Sequence, residues 1–115
     1  MNESAGLVRF EELRSLSFTS ISGTYAGVGA SFQNPVRLIK VHNTTDGNLI
    51  ISYDGIKDHD FVVAGGAYVY DYASNKNVVP GQLDQPVGDR VYVKEESTAV
   101  TSGTVYVIVQ YADSK

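Results

Sequence analysis

The chain has 115 residues, a mass of 12.4 kDa and a formal charge of −4. This length suits one domain with one hydrophobic core, and 43% hydrophobic against 19% charged residues excludes a disordered chain. The absence of cysteine excludes disulfides, iron–sulfur clusters and cysteine-based zinc sites, while the acidic balance argues against nucleic acid as the main partner.

The amino-terminal residues are predicted to form an arm, residues 1–15, ahead of a single domain, residues 16–115. Residues 1–6 are polar and no apolar signal-peptide core follows them, so we expect synthesis in the cytoplasm; no apolar run is long enough for a membrane helix. Four apolar residues of the arm are candidates for a partner interface: Leu7, Val8, Phe10 and Leu13. The spacing of Phe10, Leu13 and Leu16 also leaves open one helical turn before the first strand.

Seven strands are predicted from short alternating or β-branched runs that end at Gly, Asn or Asp. They cover residues 16–21, 36–42, 48–53, 61–64, 67–72, 90–95 and 104–111. Asp46-Gly47 and Gly65-Gly66 each lie between two of these runs and predict hairpins. Seven to eight short strands without helical periodicity predict an all-β fold, an antiparallel β-sandwich or jelly roll.

Two connections do not follow this pattern. Residues 22–33 are rich in glycine and indicate either a loop or a weak, bulged strand. Residues 74–89 contain two prolines and no sustained period, and connections of that length in a compact domain are usually functional or mobile.

The alternation along the strands also predicts which face each side chain occupies. Valines at 105, 107 and 109 form a core face in the last strand, as do those at 91 and 93 in the strand before it. The tyrosines between them, and a row at 68, 70 and 72, are placed on the outer side. Tyrosine is enriched where protein surfaces meet. The candidate interface therefore includes Tyr68, Tyr70, Tyr92 and Tyr106; alternatively, these rings cap the sandwich edges.

The densest group of ionisable residues is Asp54, Asp58, His59 and Asp60. It differs from a calcium loop because glycine directly follows the first aspartate and no glutamate closes the frame. We interpret it as a solvated acidic turn in which Asp54 accepts hydrogen bonds from nearby backbone amides. No nucleophile elbow or dinucleotide fingerprint is present, so we expect no catalytic residue, metal or cofactor. A small hydrolase remains an alternative only because the residues of a catalytic triad must be close in space but can have any spacing in the sequence.

Several turn and strand motifs carry a family resemblance. They are Asn34-Pro35-Val36-Arg37-Leu38-Ile39-Lys40-Val41, Asn43-Thr44-Thr45-Asp46, Ser52-Tyr53-Asp54-Gly55, Asp58-His59, Asp71 with Ser74-Asn75-Lys76, Val91-Tyr92-Val93-Lys94 and Thr101-Ser102-Gly103-Thr104-Val105-Tyr106. With these motifs, residues 20–112 resemble a family of small virion structural proteins of tailed bacteriophages. The resemblance implies a β-rich accessory protein that cements or decorates a capsid or lies in the neck or tail, with no catalytic residues.

We therefore expect a cement or decoration protein of the virion that bridges major capsid protein subunits and forms a dimer or trimer, without binding nucleic acid or membrane. One alternative is a neck or tail accessory protein. The other is a carbohydrate-binding sandwich that uses Tyr68, Tyr70 or Tyr92 as a stacking platform.

Overall fold

The fold, seen in a computed structural model that describes residues 7–71 and 89–113, is an antiparallel β-sandwich, as the sequence predicts. Nine strands form within these ranges. They are β1 (Leu7–Phe10), β2 (Arg14–Ser17), β3 (Ala26–Gly27), β4 (Val36–Asn43), β5 (Leu49–Ser52), β6 (Asp60–Val62), β7 (Ala67–Asp71), β8 (Tyr92–Glu95) and β9 (Thr104–Asp113). One short 3₁₀ turn, Phe18–Ser20, follows β2.

The strands divide into two sheets. The five-stranded sheet has the order β1-β9-β4-β7, with β2 also paired to β9; the four-stranded sheet has the order β3-β8-β5-β6. Two short strands share the long β9, because β1 pairs with its carboxyl half and β2 with its amino half. Strand β9 therefore connects the amino-terminal residues to the centre of the sheet.

The core lies between the two sheets and confirms the predicted valine faces. Val105, Val107 and Val109 of β9 are fully buried, as are Val91 and Val93 near β8. The other fully buried large side chains come from β4, β5 and the glycine-rich segment: Val28, Phe32, Val36, Ile39, Val41, Leu49 and Ile51. Each such side chain contributes about 1.5–3 kcal/mol through its removal from water.

The amino-terminal residues differ from two expectations. The helical turn left open over residues 10–16 does not form, because β9 supplies backbone hydrogen-bond partners to β1 and β2 on either side of a short link. The strand predicted over residues 16–21 ends at Ser17, whose hydroxyl accepts a hydrogen bond from the Thr19 N–H and begins the 3₁₀ turn. Most of the predicted arm, from Leu7 onward, thus lies beside β9, and its separation from a domain of residues 16–115 stays a prediction.

Both predicted hairpins are wrong. Asp46-Gly47 links β4 of the five-stranded sheet to β5 of the four-stranded sheet, and Gly65-Gly66 links β6 back to β7. Residues 96–103 make the same kind of crossing from β8 to β9. We call these three connections the corner. Among the described strands, β5 and β6 form a hairpin through residues 53–59.

The two irregular connections have different outcomes. The glycine-rich residues 22–33 contain the two-residue strand β3, which pairs with β8, and otherwise run without regular structure. The long connection predicted over residues 74–89 lies, apart from Asp89, outside the described residues, as does Tyr72.

Candidate interaction surfaces

The outer side of the five-stranded sheet is defined by its strand register. Residues that stand opposite each other in an antiparallel pair share one face. Phe10 pairs with Gln110, and Ile108 with Lys40, on the side away from the buried valines. We call this surface the outer face. It includes Phe10, Leu38, Lys40, His42, Ala67, Val69, Asp71, Tyr106, Ile108 and Gln110.

The outer face carries large apolar side chains in contact with solvent. Phe10 is 62% exposed and Val69 is 52% exposed, and Leu38, Tyr106 and Ile108 between them are half-buried. Lys40 lies between Ile108 and Val69 in the same register row. Asp71, opposite Leu38, places a carboxylate on the same face. Large exposed apolar side chains beside a few charged groups are typical of a surface that binds another protein.

The structure brings two of the predicted interface residues, Phe10 and Tyr106, onto this face. Leu13 is 58% exposed in the link between β1 and β2, and Leu7 and Val8 lie in β1 opposite Asp113 and Ala112. Sequence reasoning missed the contributions of β4 and β7, namely Leu38 and Val69. A register shift between Val36 and Leu38 breaks the alternation in β4, so alternation alone could not place Leu38.

The outward placement of Tyr68 and Tyr70 is wrong. Tyr68 stands opposite Val41 and Tyr70 opposite Ile39, and both partners are fully buried, so the two tyrosines point toward the other sheet. Strand β7 lies at an open side of the sandwich, where an inward side chain still reaches water: Tyr70 is 37% exposed. The outward residue of β7 between the two rings is Val69.

The inward tyrosines form a cluster with the β5–β6 hairpin. The hydroxyl oxygens of Tyr53 and Tyr68 are 2.9 Å apart, and the Tyr70 hydroxyl donates to Asp60. The ring centroids of Tyr68 and Tyr70 are 5.1 Å apart with a 58° tilt, and those of Tyr53 and Tyr70 are 6.3 Å apart with a 52° tilt. Tilted rings with engaged hydroxyls connect the two sheets; they do not present one flat surface.

Tyr92 lies on the outer side of the four-stranded sheet, where the outward prediction is confirmed. Its neighbour Val93 is buried, so Tyr92 faces out of the four-stranded sheet, half-buried, with the Arg90 guanidinium carbon 5.7 Å from its ring centre. Nearby, Lys94 lies 4.7 Å from the ring centre of Tyr25. Burial, and then the hydrogen bond that Tyr25 donates to Asp58, raise the pKa of Tyr25 well above its usual value.

The three carboxylates of the acidic cluster bind different groups. As predicted, Asp54 accepts hydrogen bonds from backbone amides, those of Ile56 and Lys57 at 2.8 and 3.0 Å. The Lys57 and Ile56 amides lower the pKa of Asp54 to about 2, against the opposing effect of desolvation. Asp58 binds Tyr25 and Lys94, whereas Asp60 binds Tyr70. In the part of the chain that the structure describes, no three His, Asp or Glu side chains converge as metal ligands do.

His59 makes three local contacts within the β5–β6 hairpin. Its Nδ1 accepts a hydrogen bond from the Tyr53 N–H at 3.0 Å, and its Nε2 lies 3.9 Å from an Asp54 carboxylate oxygen. The imidazole also stacks on the Tyr53 ring, with centroids 6.0 Å apart and planes at 28°. These contacts fix the hairpin that carries Asp54 and Asp60.

A buried ion pair, which sequence reasoning missed, joins the amino-terminal strands to the glycine-rich segment. Arg14 Nη2 lies 2.6 Å from Glu11 Oε1, and the side chains of Arg14 and Glu11 are only 5% and 4% exposed. Arg14 also donates to the carbonyls of Ala30 and Ser31. Glu11 accepts from the Gln33 N–H and the Asn34 side chain. An open pocket beside the pair is lined by Leu13, Gly29 and Gln33, among others.

Replacing Glu11 with glutamine should lower the free energy of unfolding by about 3 kcal/mol, because Arg14 would stay buried without its counter-charge. Glu12→Gln, at the exposed neighbouring carboxylate, is the matched control and should change little. Urea unfolding followed by circular dichroism measures both. Equal stability of the two variants would contradict a buried, stabilising pair.

The same pair makes stability depend on pH. Burial alone would raise the pKa of Glu11, but the hydrogen bonds from Arg14, Asn34 and Gln33 outweigh it and hold the pKa below its usual value. A carboxyl whose pKa is lower in the folded state stabilises the fold above its unfolded pKa and loses that contribution as pH falls. The difference in stability between wild type and Glu11→Gln should therefore shrink as pH falls below about 4.

Comparison with known protein families, with curated proteins and with solved structures found no match. No helix in the described ranges is long and apolar enough to cross a membrane. The interpretation of this chain therefore depends on its own surfaces.

Proposed function

We propose that this chain is a structural protein of a tailed-bacteriophage particle, a capsid cement or decoration protein that bridges major capsid protein subunits. The observation that carries the proposal is the outer face, where Phe10 and Val69 are more than half exposed on a rigid sheet. The sequence resemblance to small virion structural proteins supports the same role. The proposal includes no catalytic step, cofactor or nucleic-acid contact.

The geometry suits repeated binding. An apolar area of a few side chains gives only modest affinity at one site, but symmetry repeats that site many times over a shell. A sandwich with a fully buried core presents the area without first having to order a loop, so less free energy is lost on binding. Lys40 within the apolar row favours a partner surface with a carboxylate at its centre.

A capsid-binding assay tests the proposal. Shells assembled from major capsid protein alone are mixed with wild type, Phe10→Asp or Ile56→Asp, and bound protein is measured after sedimentation of the shells. Phe10→Asp should weaken binding at least about 10-fold, because an aspartate would lose its water against an apolar partner. Ile56, 78% exposed on the β5–β6 hairpin, is the matched control, and Ile56→Asp should bind like wild type.

Two results would count against this role. If the wild-type protein does not bind the shells, the capsid proposal is wrong. If Phe10→Asp and Ile56→Asp weaken binding equally, the outer face is not the binding site. Imaging of intact particles separates the alternatives: density in the shell lattice supports a cement protein, whereas density at the portal vertex supports a neck or tail component.

A carbohydrate-binding role is the second candidate, and the tyrosine cluster is the observation that favours it. Tyr70 is partly exposed beside Asp60, and sugars bind where an aromatic ring and a carboxylate lie together. Tyr92 faces out of the four-stranded sheet and would form a separate platform. Saccharide binding on a glycan array that is lost in Tyr70→Ala, and kept in Tyr92→Ala, would support the cluster as a sugar site.

A further inference from the structure

An open pocket lies between the link from β1 to β2 and the glycine-rich segment. Its volume is about 470 Å³, within the range of sites that hold a ligand or a large side chain. The lining includes residues of both segments: Glu11, Glu12, Arg14 and Ser15 from the first, and Gly29 and Gln33 from the second. The charges and hydrogen-bonding groups of these residues indicate what the pocket binds.

The buried ion pair fixes one wall of the pocket. Arg14 packs against Gly29 so closely that a Cβ atom there would lie 2.5 Å from the Arg14 Cγ, and Gly29 has φ +66°. Only glycine suits both conditions. Arg14 Nε donates to the Ala30 carbonyl at 2.7 Å, and its guanidinium carbon lies 5.3 Å from the ring centre of Phe32. This wall is therefore ordered before any ligand binds, which lowers the free energy lost on binding.

The lining carries one unmatched negative charge. Glu11 and Arg14 neutralise each other, and the carbonyls of Ala30 and Ser31 engage further N–H groups of Arg14. Glu12 is exposed, and no cation of the described residues pairs with its carboxylate. The net charge of the lining is therefore negative, which favours a cationic ligand.

The hydrogen-bonding groups that stay available in the pocket are mainly acceptors. The Gln33 side-chain nitrogen donates to the Ser31 carbonyl at 3.0 Å, which leaves the Gln33 side-chain oxygen to accept. The Glu12 carboxylate only accepts, and the Ser15 hydroxyl can accept or donate. A guanidinium or ammonium group, which only donates, complements this set.

The pocket adjoins the outer face. Ser15 stands opposite Tyr106, a residue of that face, in the β2–β9 register, and Glu11 directly follows Phe10. Leu13, 58% exposed, also lines the pocket. A partner that covers the outer face therefore has the pocket within reach of a neighbouring side chain.

We propose that this pocket binds an arginine or lysine side chain of the partner protein, with the cationic group at Glu12 and Gln33 and the alkyl part against Leu13. For the identity of the partner, the proposal rests on the proposed function, and it names a feature of the major capsid protein: a basic residue beside the segment that covers Phe10. Lys40 on the outer face favours a carboxylate, so the two sites together define a charge pattern that fixes the orientation of binding.

Binding of a blocked amino acid tests the pocket without any capsid. N-acetyl-arginine amide, or its neutral analogue N-acetyl-citrulline amide, is titrated into the isotope-labelled full chain and followed by NMR. The arginine compound should shift the amide signals of Ser15, Gly29 and Gln33. The citrulline compound should bind at least about 3-fold more weakly, because it lacks the charge. Absence of shifts, equal binding of the two compounds, or larger shifts at the acidic turn of Asp54 overturns the proposal.

Variants of Glu12 test the same site in the capsid-binding assay. Glu12→Gln removes the unmatched charge and should weaken shell binding about 3-fold, whereas Glu12→Lys sets a like charge against the partner and should weaken it at least about 10-fold. Glu96→Lys, at an exposed carboxylate outside the pocket, changes the net charge by as much as Glu12→Lys and should bind like wild type. Equal loss in the two lysine variants would be an effect of net charge alone and overturns the proposal.

The two experiments separate failure of the pocket from failure of the proposed function. A chain that binds the arginine compound but not the shells supports the cation site and removes the capsid as its partner. Shell binding that is lost in Phe10→Asp and unchanged in Glu12→Lys supports the outer face and overturns the role of the pocket. Urea unfolding of each variant confirms that the compared proteins are folded.

Discussion

Replacing Gly103 with alanine should lower the free energy of unfolding by about 4 kcal/mol, through positive-φ strain and overlap with the backbone. Gly103 has φ +94°, a conformation that residues with a side chain rarely adopt. A methyl group there would lie 2.5 Å from the Cα of Thr45 and closer still to the carbonyl oxygen of Thr44. These are main-chain atoms of another connection, so the overlap cannot be relieved by rotating a side chain.

Two other glycines separate the effect of positive φ from the effect of overlap with the backbone. Gly65 also has a positive φ, +76°, but a methyl group there meets nothing within 4 Å, so Gly65→Ala should cost only about 1 kcal/mol. Gly23→Ala, also with open space, should be nearly neutral. Thermal and urea unfolding of the three variants measures the loss of stability in each, which should be largest for Gly103→Ala and smallest for Gly23→Ala. A Gly103→Ala protein as stable as Gly65→Ala would show that the corner is not closely packed.

The close approach at Gly103 follows from the three crossings that meet at the corner. Asp46, in the first crossing, accepts hydrogen bonds from the Thr101 and Ser102 amides at 2.8 and 3.3 Å, in the third. The Thr101 and Ser102 groups hold the pKa of Asp46 below its usual value. Asn48, after the first crossing, accepts from the Ala64 N–H in the second. The first crossing thus supplies acceptors for backbone amides of the other two.

The sequence was sufficient for features that depend on near neighbours. Successive side chains of a strand must alternate, so the buried row from Val105 to Val109 followed from the sequence alone. The amides around Asp54 lie within three residues of it, and that turn was predicted for the same reason. Both are local consequences of backbone geometry.

The features that were wrong or missed depend on distant residues. An Asp-Gly turn reverses the chain, but the register of strands far along the sequence decides which sheet receives the next strand. The prediction placed Tyr68 and Tyr70 on the outer side of the sheet, but the hydroxyl partners Tyr53 and Asp60 favour the inner side. The pair between Glu11 and Arg14 is close in sequence, but its burial requires the carbonyls of Ala30 and Ser31.

Asn43→Ala is expected to have an effect as large as that of Gly103→Ala, about 4 kcal/mol, because several buried polar groups would lose their partner together. The Asn43 side chain is fully buried at the end of β4. Its Nδ2 lies 2.9 Å from the Gly47 carbonyl and 3.2 and 3.1 Å from those of Val62 and Val63. Its Oδ1 accepts from the N–H and the hydroxyl of Thr45, itself buried. One amide thus joins the first crossing to the second.

Asn48→Ala is the matched control. The Asn48 side chain is exposed, and it also links corner connections, because it accepts from the Ala64 N–H and donates to Glu96. Its loss should cost about 1 kcal/mol or less, because water replaces the missing partner. Asn43→Asp adds a second check: it keeps an acceptor for Thr45 but turns carboxylate oxygens toward three carbonyls, so it should be at least as destabilising as alanine. Urea unfolding of all three variants measures the differences. If Asn43→Ala and Asn48→Ala lose the same stability, the buried amide does not hold the sheets together, and the corner must depend on backbone contacts such as those at Gly103.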